Sequence, residues 1–294
     1  MSARREVSPL AVAQLVLRDI RIEHSLFALP FAYTGAVLAA RGLPTVYQLV
    51  WITLAVLGAR TAAMAANRYV DRDIDAQNPR TKRRALASGA LAPNVMLWTA
   101  AGGLALLVAS AALLNPLCVA LLPIAALGIA AYPYCKRFTW GVHFVLGAVD
   151  GFAPLGAYIA VAGNAGLPGL LLFLAVTFWV AGFDIAYALM DLEVDTATGV
   201  RSIPVRFGER SGRPLALGLH VATVALLAGA GAAAGVGAIY YAGIALGALL
   251  VWYENHLFHV SENVFALNDK IFAANMAYSV CFLLCTLGGF LWHP

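Results

Sequence analysis

The sequence has very little charge for its length. Of its 294 residues, 12% are Asp, Glu, Lys or Arg and 62% are hydrophobic, and the mean hydropathy is +0.80. Soluble domains carry about 25% charged and about 45–50% apolar residues. The composition therefore excludes a water-soluble enzyme and an intrinsically disordered chain, and it predicts a protein that crosses a membrane several times.

Cysteine is scarce as well, with four residues in the chain. They show no C-x-x-C spacing and three lie in apolar runs, which excludes a disulfide scaffold and indicates small buried side chains. The N-terminal segment contains arginines but no small-residue cleavage site after a short apolar core. We therefore expect the first apolar run to remain as a membrane span rather than to be removed as a signal peptide.

Long apolar runs are what the sequence has in excess. A transmembrane helix needs about 20 mainly apolar residues. The runs long enough to qualify predict nine spans in a single polytopic domain over residues 1–294, at 24–41, 45–69, 93–113, 116–134, 141–162, 167–190, 214–234, 236–254 and 268–291. A shorter amphipathic stretch at 9–22 predicts a helix lying on the membrane surface.

Basic residues are concentrated in alternate connections. The N-terminal segment and the long connections at 70–92 and 191–213 hold most of them, whereas the intervening connections contain only Arg41. By the positive-inside rule this predicts a multi-pass protein of the cytoplasmic (inner) membrane with its N-terminus in the cytoplasm. Long polar loops in a compact bundle usually carry function, so we expect the functional site on the cytoplasmic side.

Two groups of acidic residues lie at the predicted cytoplasmic ends of the second and sixth spans. The first has i, i+4, i+8 spacing and comprises Asn67, Asp71 and Asp75. The second has i, i+7, i+11 spacing and comprises Asp184, Asp191 and Asp195, with Tyr187 between them. Either spacing predicts one helix face. Carboxylates are unfavourable at a helix C-terminus because the helix dipole is negative there, so both groups need cations. Oxygen ligands of this kind suit a Mg²⁺ ion that also binds phosphate oxygens. The alternative is solvated acids paired with nearby arginines.

Basic side chains lie beside these acids on the same predicted side of the membrane. They are Arg80, Lys82, Arg84, Lys136, Arg137 and Arg201. Acids that bind a metal together with guanidinium groups that bind oxyanions are typical of a diphosphate site. Because such a site would open into an apolar bundle, we expect a substrate with a charged head and a long hydrocarbon tail.

Four sequence motifs connect these residues. They are N-x3-D-x3-D at 67–75, RTKRRALASG at 80–89, YPYCKRFT at 132–139 and DIAYALMDLEVDTATGVRS at 184–202. Their order and content resemble the UbiA-type intramembrane aromatic prenyltransferases. One departure is Ala85, where that family usually has proline. The segments at 22–32 and 251–259 are similar to a subgroup that includes the naphthoate prenyltransferases of the futalosine menaquinone route.

The resemblance implies an all-α bundle of nine transmembrane helices around a central cavity, capped by the two long cytoplasmic loops. It implies that the two acidic groups hold two Mg²⁺ ions, and that the diphosphate contacts are Arg80, Arg84, Tyr132, Lys136, Arg137 and Arg201. The implied reaction transfers a polyprenyl group from polyprenyl diphosphate to the ring of an aromatic acid, 4-hydroxybenzoate or a dihydroxynaphthoate, in ubiquinone or menaquinone biosynthesis. The expected partners are these substrates and the lipid bilayer, with no nucleic acid.

Three residues are expected to act on the reacting groups. Arg60 is the one basic residue inside a span and lies seven residues before Asn67, on the same helix face. It is predicted either to receive the carboxylate of the acceptor or to form a structural ion pair with Asp184 or Asp150. Tyr187 offers an aromatic face to an allylic cation. Asp191 is a candidate proton acceptor as well as a metal ligand.

Two other hypotheses are drawn from the polar residues. A cation-coupled transporter using the intramembrane acids and Arg60 is the alternative function, and it predicts acids near the middle of the membrane. Four histidines near span ends are predicted to be interfacial anchors, at positions 24, 143, 256 and 259. A metal site built from His256, His259 and Glu254 lacks a third histidine and is not predicted.

Overall fold

The computed structural model describes residues 8–21, 25–260 and 264–292, without the side chains of 25–27, 255–260 and 264–272. His24 and the side chains of His256 and His259 therefore lie outside the described residues. Within the described ranges the chain is helical and contains no strand. The helices are α1 (Pro9–Asp19), α2 (Ser25–Ala40), α3 (Val46–Gln77), α4 (Pro93–Leu114), α5 (Pro116–Cys135), α6 (Val142–Ala162), α7 (Leu167–Ala188), α8 (Leu192–Thr198), α9 (Ile203–Phe207), α10 (Glu209–Ala234), α11 (Ala238–Val260) and α12 (Val264–Leu291).

Each predicted span coincides with one of the longer helices, α2–α7 and α10–α12. In the described part of the chain, seven helices are long and apolar enough to cross a membrane. The other two apolar stretches, Ala28–Ala40 and Ala238–Glu254, are shorter over the described residues. The predicted multi-pass helical architecture is therefore confirmed, whereas nine crossings and their orientation stay predictions.

Close contacts between small residues hold the central helices together. Gly58 of α3 faces Gly103 of α4, and a Cβ atom on either glycine would lie 2.7 Å from a backbone atom of the opposite helix. A Cβ on Gly147 of α6 would lie 2.1 Å from the Thr177 carbonyl oxygen of α7. Membrane helices pack through such close backbone approach because burial of apolar surface adds little driving force in lipid.

A second source of order is an aromatic core around α7. Trp179 packs edge-on against Phe31 of α2, with ring centroids 5.2 Å apart. It also contacts Tyr278 of α12, and the centroids of these two rings are 5.1 Å apart. Phe183 stacks on Trp179 one turn further along α7. These contacts fix the end of α7 that leads into the second acidic group.

The predicted surface helix is present as α1. Ser8 is its N-cap residue, and the Ser8 hydroxyl oxygen accepts a hydrogen bond from the backbone N–H of Ala11 at 3.3 Å. Its side chains divide into two faces: Val12, Leu15 and Val16 pack on the bundle, whereas Leu10 and Leu17 are exposed. The helix thus has an apolar face on each side, which suits a position at the membrane surface.

The second acidic group does not lie on one continuous helix, so that prediction is wrong. The helix α7 ends at Ala188, a turn follows, and Asp191 is the N-cap residue of the short helix α8. Asp195 therefore lies in the first turn of α8, at the positive end of the helix dipole. A continuous helix would have placed these carboxylates at its negative end, and the break removes that cost.

Candidate active site

The first acidic group lies along one face at the end of α3, as its spacing predicts. The Asp71 and Asp75 side chains are buried, with 2% and 6% of the residue exposed. Asn67 donates from Nδ2 to Asp71 Oδ2 at 2.9 Å. Because α3 continues to Gln77, beyond the predicted end of the span, all three side chains are held by one rigid helix.

Two cations from other segments reach these carboxylates. Lys136, the C-cap residue of α5, places Nζ 2.5 Å from Asp71 Oδ2. Arg84, in the connection between α3 and α4, places Nη1 2.7 Å from Asp75 Oδ2. The end of α5 and the first long connection therefore meet at the end of α3, as the sequence predicts for a shared site.

A third ion pair brings in the second acidic group. Arg80 donates from Nε to Asp191 Oδ1 at 3.1 Å and from Nη2 to Oδ2, which makes the contact bidentate. Asn78 Nδ2 lies 3.4 Å from the same Oδ1 atom. Burial, followed by the neighbouring Asp191 charge, raises the pKa of Asp195 to about 6. The two acidic groups are thus joined through the connection that follows α3.

Asp184 has a partner that the sequence did not indicate. Its Oδ2 lies 2.7 Å from Nδ1 of His143, a residue that is only 1% exposed. The backbone N–H of Ile203, at the start of α9, donates to Nε2 of the same ring at 3.1 Å. Because Nε2 accepts, Nδ1 carries the proton and donates to Asp184. The prediction that His143 is an interfacial anchor is wrong, since α9 folds over the ring and buries it.

Two of the other predicted diphosphate contacts lie at the end of α5. Tyr132 is close enough to Asp71 and Asp184 for their charges to act on its hydroxyl group. Arg137 donates from Nη2 to the Val70 carbonyl at 2.7 Å and lies 3.9 Å from Asp71 Oδ1. Arg137 therefore borders the first acidic group, and Tyr132 lies one turn before Lys136 on α5.

Arg201 and Tyr187 occupy different positions. Arg201 donates its backbone N–H to the Lys136 carbonyl at 2.7 Å and its Nη1 to the Phe138 carbonyl at 2.9 Å. Arg201 thereby holds the second long connection against the end of α5. Its described side-chain hydrogen bond is to a backbone carbonyl and not to an acid. Tyr187 stacks on Phe183 with ring centroids 6.3 Å apart, on the last turn of α7.

Two further buried charges support this end of the bundle and were missed from the sequence. Arg68, 5% exposed, donates from Nε to the Asp19 carbonyl at 2.9 Å and from Nη1 to Asn67 Oδ1 at 3.0 Å. The Asp19 carboxylate accepts the backbone N–H groups of Ala85 and Leu86 at 2.8 and 3.4 Å. The sequence does not indicate these roles, because Asp19 contacts Arg68, Ala85 and Leu86 across 49 to 67 residues of the chain.

The predicted cavity lies beside the part of α3 that precedes the acids. It has a volume of about 150 Å³ and is lined by residues of five helices, α2 to α6. Its lining is apolar apart from Arg60 and Asp150. Its α3 residues run from Ile52 to Ala63, about 16 Å at 1.5 Å per residue. Arg60 Nη1 lies 3.3 Å from Asp150 Oδ1, so Asp150 rather than Asp184 is its ion-pair partner. Arg60 Nε is buried without a hydrogen-bond partner.

The acidic residues can accept a hard divalent cation. No preformed cluster of three or more acidic, histidine or cysteine ligands occurs among the side chains the structure describes. Basic side chains pair with Asp71, Asp75 and Asp191 instead. Asp71 Oδ1 is nevertheless buried without a hydrogen-bond partner. Arg137 Nη2 lies 3.9 Å from it, too far for a hydrogen bond, so this oxygen can still accept a metal cation. A carboxylate oxygen of this kind is a ligand that suits Mg²⁺ shared with phosphate oxygens.

Comparisons of the sequence and of the fold with known proteins agree on one protein family. The profile of the UbiA prenyltransferase family matches residues 28–291. A 4-hydroxybenzoate octaprenyltransferase of Alkalilimnicola ehrlichii is 36% identical over 251 residues, covering 83% of each chain. An apo structure of a UbiA homologue from Aeropyrum pernix K1 superposes with a TM-score of 0.80 at 35% identity, over 90% of this chain and 97% of that one. A UbiA homologue from Archaeoglobus fulgidus bound to DMAPP and Mg²⁺ shares the fold at 21% identity and a TM-score of 0.67, over 92% and 99% of the chains.

Proposed function

The chain belongs to the UbiA prenyltransferase family, and from that premise we propose that it transfers a polyprenyl group from polyprenyl diphosphate to the ring of an aromatic acid, with Mg²⁺. The proposed acceptor is 4-hydroxybenzoate or a dihydroxynaphthoate, and the product a precursor of ubiquinone or menaquinone. The curated relative named above supports the first acceptor. The segments at 22–32 and 251–259 favour the second. The site is proposed to face the cytoplasm, where the basic connections are predicted to lie.

The observation that carries this proposal is the set of three ion pairs. Each one joins a carboxylate that can bind a metal to a cation that can bind a diphosphate oxygen: Asp71 with Lys136, Asp75 with Arg84, and Asp191 with Arg80. The partners come from four separate segments of the chain. Ion pairing alone also fits the alternative of solvated acids paired with arginines, but Asp71 and Asp75 are buried rather than solvated. The family match further supports a diphosphate site at this end of the bundle.

In the proposed site the two acidic groups hold two Mg²⁺ ions. The residues are Asn67, Asp71, Asp75, Asp184, Asp191 and Asp195. Bound Mg²⁺ supplies charge neutralisation for the diphosphate as it departs. Arg80, Arg84 and Lys136 hold the diphosphate oxygens and stabilise the negative charge that develops on the leaving oxygen. Tyr132, Arg137 and Arg201 complete the proposed set of contacts.

The apolar cavity protects the electron-deficient carbon. When the allylic C–O bond breaks, the apolar lining keeps water away and prevents hydrolysis to the alcohol. Tyr187 offers its ring face to the allylic cation. A ring carbon of the acceptor, ortho to a hydroxyl group, forms the new C–C bond and then loses its proton, which Asp191 is proposed to accept.

Arg60 is proposed to receive the acceptor carboxylate. The described contact of Asp150 is with Nη1, Nε is buried without a hydrogen-bond partner, and Arg60 lines the cavity. The Nε–Nη2 edge of the guanidinium can therefore bind a carboxylate bidentately while Asp150 holds the other side. In that position the ring lies below the acidic site, within reach of the carbon that the diphosphate leaves.

The transporter alternative is not favoured. It predicts acids near the middle of the membrane. Asp71 and Asp75 lie at the very end of α3, and Asp191 lies in the turn after α7. Together with the family match, this distribution supports chemistry at one end of the bundle rather than a pathway through it.

A product assay tests the proposed function. The purified protein in liposomes is supplied with one all-trans polyprenyl diphosphate, Mg²⁺ and, in turn, 4-hydroxybenzoate, a dihydroxynaphthoate and unsubstituted benzoate. We expect one hydroxylated acid to give a prenylated product by mass spectrometry, with equimolar diphosphate, and benzoate to give none. Diphosphate release without any prenylated ring, or no turnover with either hydroxylated acid, would overturn the proposal.

A further inference from the structure

The surface helix α1 is fastened to the connection that carries Arg80 and Arg84. Asp19, the last residue of α1, is 6% exposed. Its carboxylate accepts the backbone N–H groups of Ala85 and Leu86 at 2.8 and 3.4 Å. Two successive amides directed at one buried carboxylate determine where this part of the connection lies, immediately after Arg84.

The same residue compensates a buried positive charge. Arg68 donates to the Asp19 carbonyl, and the charges of Asp19, Asp75 and Arg84 all act on its guanidinium group. With Asp19 ionised, two carboxylates face three arginines, since the charge of Arg21 also acts on Arg68. Without that charge, Arg68 and Arg84 would share Asp75 alone, and their mutual repulsion would displace Arg84, the more mobile of the two because it lies in a loop.

We propose that Asp19 is a positioning residue for the diphosphate: it fixes the segment 78–92 so that Arg80 and Arg84 are presented to the leaving group. This inference rests on the function proposed above. It adds that the donor site depends on a helix at the membrane surface that contributes no ligand. The exposed Leu10 and Leu17 give α1 a lipid-facing side, so the same helix ties the donor site to the membrane interface.

The contact depends on what occupies position 85. Proline, which the family usually has there, lacks the backbone N–H that Ala85 donates to Asp19. The substitution Ala85→Pro therefore removes the shorter of the two hydrogen bonds while leaving the Asp19 charge in place. Asp19→Asn keeps the size of the side chain but removes its charge and one of its two acceptor oxygens, so it also breaks one of the two hydrogen bonds.

Steady-state kinetics with both substrates give the first test. Asp19→Asn and Ala85→Pro are expected to raise the KM for polyprenyl diphosphate by about tenfold each, the scale of a hydrogen bond to a charged group, with the acceptor KM unchanged. In the double variant the two effects should not multiply, because both changes break one contact. Asp73→Asn is the matched control: Asp73 is exposed and pairs only with the neighbouring Arg72.

Limited trypsin digestion gives a second test that needs no turnover. Segment 78–92 contains Arg80, Lys82, Arg83 and Arg84 as cleavage sites. Asp19→Asn should accelerate cleavage there and leave cleavage between 201 and 213 at the wild-type rate. Wild-type donor KM in both single variants, together with wild-type cleavage in Asp19→Asn, would overturn the inference, as would an equal rise of both KM values. If the wild type forms no prenylated product, the proposed function fails, whereas the digestion still decides whether Asp19 positions the segment.

Discussion

Replacing Arg60 by alanine should weaken binding of the aromatic acid and leave the diphosphate almost untouched. The guanidinium lies in the cavity, its Nη1 is held 3.3 Å from Asp150, and its Nε has no protein partner. A hydrogen bond to a charged group contributes about 1.5–3 kcal/mol. Loss of the acceptor carboxylate contact should therefore raise the acceptor KM by about tenfold to about a hundredfold, at about 1.4 kcal/mol per factor of ten.

Two companion variants separate binding from damage to the cavity. Arg60→Ala leaves the Asp150 carboxylate without its cation, so Arg60→Ala/Asp150→Asn removes that unpaired charge and should restore stability without restoring the acceptor KM. Arg60→Lys retains a charge beside Asp150 but loses the planar fork, and should recover little of the acceptor affinity.

The decisive comparison uses an acceptor that lacks the carboxylate. The wild type should prefer 4-hydroxybenzoate over phenol, or a dihydroxynaphthoate over the corresponding naphthalenediol. Arg60→Ala should lose most of that preference in kcat/KM. If both proteins discriminate equally between the acid and its analogue, Arg60 does not bind the carboxylate, and the pair with Asp150 is purely structural.

Three further predictions concern the acidic end of the bundle. Arg84→Ala should raise the donor KM or lower kcat while the acceptor KM stays constant, because the charge of Arg84 is directed at the leaving group beside Asp75. A change confined to the acceptor KM would contradict this assignment. His143→Phe removes the hydrogen bond that orients Asp184 and should raise the Mg²⁺ concentration needed for half-maximal activity several-fold. His143→Asn should retain part of the function. An unchanged Mg²⁺ dependence in both variants would count against a metal role for Asp184. The raised pKa of Asp195, about 6, keeps this carboxyl protonated below pH 6, so Mg²⁺ must displace the proton there. The apparent Mg²⁺ affinity should fall by up to about tenfold per pH unit below pH 6, and Asp195→Asn should flatten the profile measured by activity titration.

Local patterns in the sequence were sufficient for α1, for the nine longer helices and for the shared face of the first acidic group. The short helices α8 and α9 were not predicted. Residues spaced i, i+4 and i+8 share a helix face wherever the helix continues, and α3 does continue to Gln77. The same reasoning failed for the second group, because spacing alone does not show that α7 ends at Ala188. At that point the electrostatic cost of acids at a helix C-terminus was the better guide, and it favours a new helix that begins beside Asp191.

Contacts between distant segments could not be predicted from the sequence. The motifs indicated that Lys136 and Arg84 belong near the acids, but the pairing of Asp71 with Lys136 spans 65 residues and required the fold. His143 and Asp19 have ordinary neighbours in the chain, and their roles follow only from what α9 and the segment 78–92 bring to them. For Arg60, both candidate partners could be named in advance, and packing of α3 near α6 selects Asp150.

The most direct test of the central claim is whether both acidic groups hold metal together with diphosphate. Mn²⁺, which substitutes for Mg²⁺ and is visible by electron paramagnetic resonance, can be titrated into the protein in the presence of a non-hydrolysable prenyl thiodiphosphate. We expect two bound Mn²⁺ ions in the wild type, with binding that requires the analogue, and a loss of affinity of at least about tenfold in Asp71→Asn and in Asp191→Asn, each measured separately. Wild-type Mn²⁺ binding in either variant, or binding that is indifferent to the thiodiphosphate, would contradict the account.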